Sequence, residues 1–214
     1  MTHYENVKNI IQDKAQLCVV TKMHSIEEIM KFYDLGERMF GENHVQDLVM
    51  KAKQMPKDIK WQMIGHLQTN KVRQLVPHVS RIQSLDSLKL AKEINKECAK
   101  IDKVMPCLAE FHLALDDLNK TGLSADEAIS FIESCAELPY VNIEGIMAMG
   151  PHTDDEEEIR KVFNQGYELF KKLQDHFGED KIKVLSMGMS DDFPIAVNCG
   201  SNLVRIGTYL FTED

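Results

Sequence analysis

LCVVTKMHS, residues 17–25, begins as a strand and ends as something else. Leu17, Cys18, Val19 and Val20 read as a short buried strand. Thr21 follows, and then Lys22, a residue type among the least often fully buried. A core strand that runs straight into a lysine needs a reason, and the rest of the chain supplies the setting.

Seven more short apolar runs share the character of 17–21: RMF (38–40), WQMIG (61–65), RIQSL (81–85), MPCLAEF (105–111), NIEGIMA (142–148), KVLSM (183–187) and LVRIG (203–207). Helix signals separate them. Ser25 with Glu28, and Ser124 with Glu127, have capping-box spacing. SLKLAKEINKECAK and EEEIRKVFNQGYELFKKLQDHF have helical periodicity. Strands joined through helices need crossover connections, which makes the sheet parallel. Eight such units predict a closed α/β barrel of the (β/α)8, or TIM, type. No linker or composition shift divides the chain, so residues 1–214 read as one domain. The run DDEEE at 154–158 fits the acidic first turn of a helix, where the helix dipole favours it, or an interaction patch.

The 214 residues are 43% hydrophobic and 28% charged, which is ordinary for a globular protein with a sizeable core. A net charge of −9 gives no general attraction for nucleic acid, so an anionic ligand must be held by local groups. The five cysteines form no CxxC pair, and an odd count favours reduced thiols. The N-terminus is too polar for a signal peptide, and no apolar run reaches membrane-spanning length. A cytoplasmic protein that engages neither membrane nor nucleic acid is expected. The eight histidines include no HxH or HExxH spacing, so no metal site is expected.

In such a barrel the C-terminal ends of the strands form the active face. The residues that follow the runs are therefore the candidates: Lys22; Gly41, Glu42 and Asn43; Gly65 and His66; Met147 to Gly150; Gly188 to Asp192; and Arg205, Gly207 and Thr208. MGMSDD and RIGT place small residues beside turns, where backbone N–H groups can meet phosphate oxygens, and Ser190 and Thr208 add hydroxyls. They follow strands seven and eight, where barrels often hold phosphate. A lysine close to a phosphate site, on an apolar floor, can act as an amine nucleophile toward a phosphorylated aldehyde such as pyridoxal 5′-phosphate (PLP). Taken alone, a lone lysine more commonly pairs with a carboxylate or reaches into water.

LCVVTK, MFGENHVQDL, WQMIGHLQTNKV, SLDSLKLA, IEGIMAMGP, LSMGMSDDF and GSNLVRIGTYLF together resemble the pyridoxal-phosphate homeostasis proteins, the YggS/PROSC family, and more distantly the N-terminal barrel of alanine racemase. The resemblance runs from Leu17 to Phe211. It implies PLP held as a Schiff base on Lys22, with Ser190, Gly207, Thr208 and backbone groups near Met189 around the phosphate. It implies Arg205 facing the pyridine nitrogen, Asn43 and His66 beside the ring, and Met147 packed near it. Asn43 and His66 also fit a role in tying one strand end to the next, and Arg205 a buried ion pair. A guanidinium against the ring nitrogen disfavours protonating it, which leaves a poor electron sink. The chain departs from the family pattern at Thr21, at Met23-His24-Ser25 and at Glu110-Phe111-His112. Lys120 to Gly122 match the end of the family's loop.

The resemblance thus implies a noncatalytic PLP carrier, a monomer or weak dimer, with PLP-dependent apo-enzymes as recipients. An amino-acid racemase is the alternative. That activity needs a second base, and alanine racemase takes a tyrosine from a further domain for which no residues are expected here. A barrel enzyme acting on a sugar or indole phosphate would use the same phosphate loops.

Overall fold

The computed structural model describes residues 1–113 and 122–212; Lys120 lies outside them. Eight strands are present: β1 (Gln16–Val20), β2 (Met39–Glu42), β3 (Lys60–Met63), β4 (Arg81–Leu85), β5 (Met105–Phe111), β6 (Val141–Ala148), β7 (Val184–Ser186) and β8 (Leu203–Ile206). Every pairing is parallel and follows chain order, and β8 closes on β1, with Cys18 opposite Arg205 and Val19 opposite Ile206. This is the expected closed barrel. Each strand lies within two residues of its sequence reading, which leaves Thr21, Gly65, Met187 and Gly207 just past their strands.

The helices are α1 (His3–Ile11), α2 (Ile26–Asp34), α3 (Val45–Gln54), α4 (Val72–Leu75), α5 (Leu88–Ala99), α6 (Ala128–Ala136), α7 (Glu156–Phe177), α8 (Phe193–Asn198) and α9 (Thr208–Phe211). Ser25 and Glu28 form the expected capping box of α2, with Ser25 N–H donating to Oε2 at 2.7 Å. Accepting from Ser25 draws the exposed Glu28 carboxyl down to about 2. Ser124 and Glu127 do not form one. The chain enters α6 through a 3-10 turn, Ala125–Glu127, and Ser124 Oγ donates to the Glu127 carboxylate instead. Asp155 caps α7 through the N–H groups of Glu157 and Glu158, so the acidic run is a helix start.

A large apolar cluster fills the space between strands and helices, and a small one, Cys18, Leu108, Met147 and Leu203, lines the lumen. Polar side chains share that lumen. Arg205 Nη1 donates to Ser186 Oγ at 2.6 Å, and Ser186 Oγ donates to Gln83 Oε1 at 2.8 Å. Gln83 donates to Gln62 Oε1 at 3.1 Å, and Gln62 to the Lys60 carbonyl at 3.3 Å. The bonds run in series from Arg205 to Lys60, an arrangement in which each polarises the next. All five cysteines are buried and free.

Candidate functional site

β1 and β8 are neighbours, so the residues beyond them meet. A Cβ on Gly207 would stand 3.1 Å from both the Cβ and the carbonyl oxygen of Val20, two residues before Lys22. A side chain there would press on Val20 and push the two strand ends apart by a few tenths of an ångström, so the glycine eases their approach. Beyond it, the Ser190 hydroxyl accepts from Tyr209 N–H at 3.2 Å, in the first turn of α9. Thr208 is exposed at the head of that turn. Lys22, Ser190, Gly207 and Thr208 thus gather at one strand-end seam.

Lys22 is exposed and follows a buried polar residue. Thr21, fully buried, donates its hydroxyl to the Gly41 carbonyl and to Glu42 Oε2, both at 3.0 Å. Lys51, from α3, donates to Thr21 O at 2.7 Å and to Glu42 Oε2 at 2.6 Å. The chain turns at once after Lys22: Met23 has φ 65°, and His24 N–H donates to Thr21 O at 3.1 Å. His24 then stacks on Phe211 of α9, ring centroids 3.6 Å apart, which fastens the loop after β1 to the last helix.

Arg205 is 4% exposed. Its guanidinium donates to the Ser186 carbonyl at 2.9 Å and the Ala148 carbonyl at 3.1 Å as well as to Ser186 Oγ. Among the described residues its bonded partners are carbonyl and hydroxyl oxygens rather than a carboxylate, and burial works against its charge while Asp192 and Glu110 support it. The ion-pair reading of Arg205 gives way to this one. Met147 is buried in the lumen.

The remaining candidates are placed differently from one another. Asn43 is half-buried; its N–H donates to Glu42 Oε1 at 2.8 Å, and a side chain on Gly65 would overlap its carbonyl. His66 is exposed, with Nδ1 3.3 Å from Asp86 Oδ2, a contact that links the ends of β3 and β4. Met189 is 39% exposed, and its N–H donates to Asp192 Oδ1 at 2.6 Å. That donor, expected to face an anion, is thus occupied by a buried side-chain carboxylate.

Sequence reasoning missed Lys51 and the Ser186–Gln83 pair, named Asp192 only within the run after strand seven, and noted Glu110 only as a departure. Glu110 is 4% exposed, and its carboxyl is pushed up to about 7 by burial and by Asp86, against a lowering by Arg205. Glu110 lies opposite Met147 in the sheet and two residues beyond Leu108, so it faces the lumen. Lys51 left a legible signal: it falls in the buried stripe of α3 with Val45, Leu48 and Ala52.

A closed parallel barrel with its polar groups at the C-terminal strand ends defines a TIM-type, ligand-binding architecture. The alanine racemase N-terminal domain model matches residues 2–214. The pyridoxal phosphate homeostasis protein of Helicobacter pylori is 39% identical over 93% of this chain and 88% of its own. That of Aquifex aeolicus is 37% identical over 93% and 87%. The chain therefore belongs to the alanine racemase N-terminal domain family and, within it, to the pyridoxal phosphate homeostasis proteins. Among solved structures, PipY of Synechococcus elongatus with PLP bound superposes with a TM-score of 0.88 at 30% identity, covering 98% of both chains. Alanine racemase of Clostridium difficile shares the fold, with a TM-score of 0.81 at 18% identity over 99% of this chain and 55% of that one. No helix among the described residues is long and apolar enough to cross a membrane, and no group of three or more His, Cys, Asp or Glu among them could hold a metal ion.

Proposed function

We propose that the protein holds PLP at the seam between β8 and β1, covalently through the Lys22 amine, and acts in intracellular PLP homeostasis as a carrier without strong catalytic activity. The observation that carries this reading is the contact of Gly207 with Val20, which sets a small-residue anion cradle two residues from an exposed lysine. The donor set suits the ligand. Ser190, Gly207 and Thr208 offer hydroxyl and backbone groups for a phosphate; the buried Arg205 offers a fixed positive charge for a ring nitrogen; and Met147 offers an apolar wall. Asn43 and His66 border the ring, and the Met189 N–H serves the phosphate only when Asp192 releases it.

PLP, when bound, supplies an aldehyde that an amine can capture reversibly and a ring that can withdraw electrons. Lys22 supplies the amine. Arg205 keeps a proton off the ring nitrogen, because its guanidinium remains charged and its neighbours are already bonded. That weakens the ring as an electron sink and favours storage over turnover.

The racemase-like reading requires a second base opposite the lysine. Tyr209 is not so directed: its hydroxyl accepts from Asn6 Nδ2 of α1 at 2.7 Å, and its ring stacks on His3. The relatives named for homeostasis favour the carrier. The proposal extends to PLP-dependent apo-enzymes as recipients, a cytoplasmic setting and a monomer or weak dimer. The test is a spectrum with added PLP before and after borohydride. A visible band that borohydride fixes as a label on Lys22, absent in Lys22→Ala, is expected. An identical band in Lys22→Ala would remove Lys22 from the reading. Amino-acid turnover above the rate of free PLP would replace the carrier with an enzyme.

A further inference from the structure

Glu42 and Lys51 form an ion pair with side chains 0% and 5% exposed, directly behind the residue that precedes Lys22. Taking two charges out of water costs several kcal/mol each, and well-packed apolar residues in their place are often neutral or stabilising. Stability alone therefore gives a core little reason to keep such a pair. Its bonds point to another reason. The Glu42 carboxylate accepts from Thr21 Oγ1 after β1, from Asn43 N–H after β2 and from Lys51 Nζ on α3. One anion thus gathers two adjacent strand ends and the helix behind them.

Lys51 completes the arrangement through its second bond, to Thr21 O. The same carbonyl accepts from His24 N–H and so closes a four-residue turn with Lys22 and Met23 at its centre. Met23 occupies the third position with φ 65°, where turns with a positive φ usually place glycine. A residue other than glycine in this region carries strain and stays there only when its surroundings over-determine it. The ammonium on Thr21 O is a buried restraint of that kind.

We infer that Glu42 and Lys51 are positioning residues for Lys22: they hold the Thr21 carbonyl that closes its turn, and so fix the direction from which its amine meets the ligand. The inference rests on the reading of Lys22 as the attachment point. Capture forms a C=N bond between Nζ and the ligand's aldehyde carbon and releases one water. Its rate depends on how often the amine stands in a productive geometry. Phosphate and ring contacts draw on other residues; Asn43, proposed beside the ring, meets the pair only through its backbone N–H on Glu42, which the amide oxygen of Glu42→Gln still accepts.

The experiment compares rates of band formation by stopped flow with PLP for wild type, Glu42→Gln/Lys51→Met, Thr21→Val and Thr21→Ser. Binding of pyridoxine 5′-phosphate, which has no aldehyde, is measured alongside. The double variant removes both charges together, so no buried charge is left unpaired. We expect it to capture PLP at Lys22 at least tenfold more slowly, with pyridoxine 5′-phosphate affinity within twofold of wild type. Thr21→Val, which lacks the hydroxyl, slows capture about threefold, and Thr21→Ser, which keeps it, restores the wild-type rate. Should the double variant not fold, the Val and Ser variants decide alone. Capture at the wild-type rate, or a loss of pyridoxine 5′-phosphate binding in step with capture, overturns the inference. A wild type that borohydride does not label at Lys22 overturns the attachment reading itself, before any variant is compared.

Discussion

Each end of the barrel holds a cation–carboxylate pair, and their surroundings differ. At the C-terminal end, Glu42–Lys51 is sealed from water and bonded to backbone groups that shape the Lys22 turn. At the N-terminal end, Arg81 meets Glu144 at 2.9 Å with side chains 18% and 14% exposed. They border a cavity of about 650 Å³ together with Lys14, Lys183 and Asn202. The first pair is kept where a backbone must hold one shape; the second is a part-solvated bridge between strands. Burial of charge here follows the need for geometry rather than the need for stability.

The sharpest attack on this contrast is Lys51→Met alone. It leaves the Glu42 carboxylate buried without its cation, which costs about 3–5 kcal/mol. In a barrel of this size that lowers the melting temperature by roughly 10 °C or more, measured by calorimetry. A loss below about 1 kcal/mol would make the two pairs equivalent.

Glu110 stores a second cost at the same end. Its carboxyl takes up protons more readily in the folded chain, near pH 7, than in the unfolded chain, near 4.5. The folded state therefore binds the extra proton between those values, and the contribution to stability is full at low pH and lost as pH rises through about 7. Glu110→Gln keeps the neutral form's shape, so it should be more stable than wild type at pH 8, by up to roughly 3 kcal/mol, and level with it at pH 4. Urea midpoints at the two pH values measure this, and parallel profiles would show that Glu110 is not a stored cost.

Arg81→Met at the opposite end is expected to cost only about 1 kcal/mol in urea unfolding, because water screens the pair and takes over its bonds. Smallest is Met23→Gly. It relieves the positive φ and stabilises the chain by a few tenths of a kcal/mol, up to about 1, net of the added freedom of the unfolded chain. A destabilised Met23→Gly would mean that the side chain, 97% exposed, is held by something other than its backbone.

The barrel was legible because the signals that define it are local and repeated. Runs such as Leu17–Val20 and Met105–Phe111 are buried on both faces, and the helices between them allow only a parallel sheet. Strand ends were less legible. Thr21 and Gly207 continue an apolar run, yet the last residues of a strand are set by ladder bonds to a neighbour distant in sequence. Lys22, Ser190, Arg205, Gly207 and Thr208 could be named as candidates because they follow strands or sit near their ends. Lys51 was not: a lysine in an apolar stripe also reads as a long stem reaching water, and only the position of Glu42 shows that it turns inward. Two adjacent aspartates, Asp191 and Asp192, look alike in sequence. The turn at Gly188, φ 94°, buries the second and exposes the first.

The meeting of Gly207 with Val20 has a consequence for the order of events during synthesis. Lys22 leaves the ribosome early, and nearly the whole chain must follow before Arg205, Gly207 and Thr208 arrive beside it. On the proposed attachment at Lys22, a nascent or truncated chain carries the amine without the cradle, and selective loading belongs to the completed barrel. The closing strand would then work as a proofreading step, with the ligand retained only by a molecule whose last β-strand has found its first.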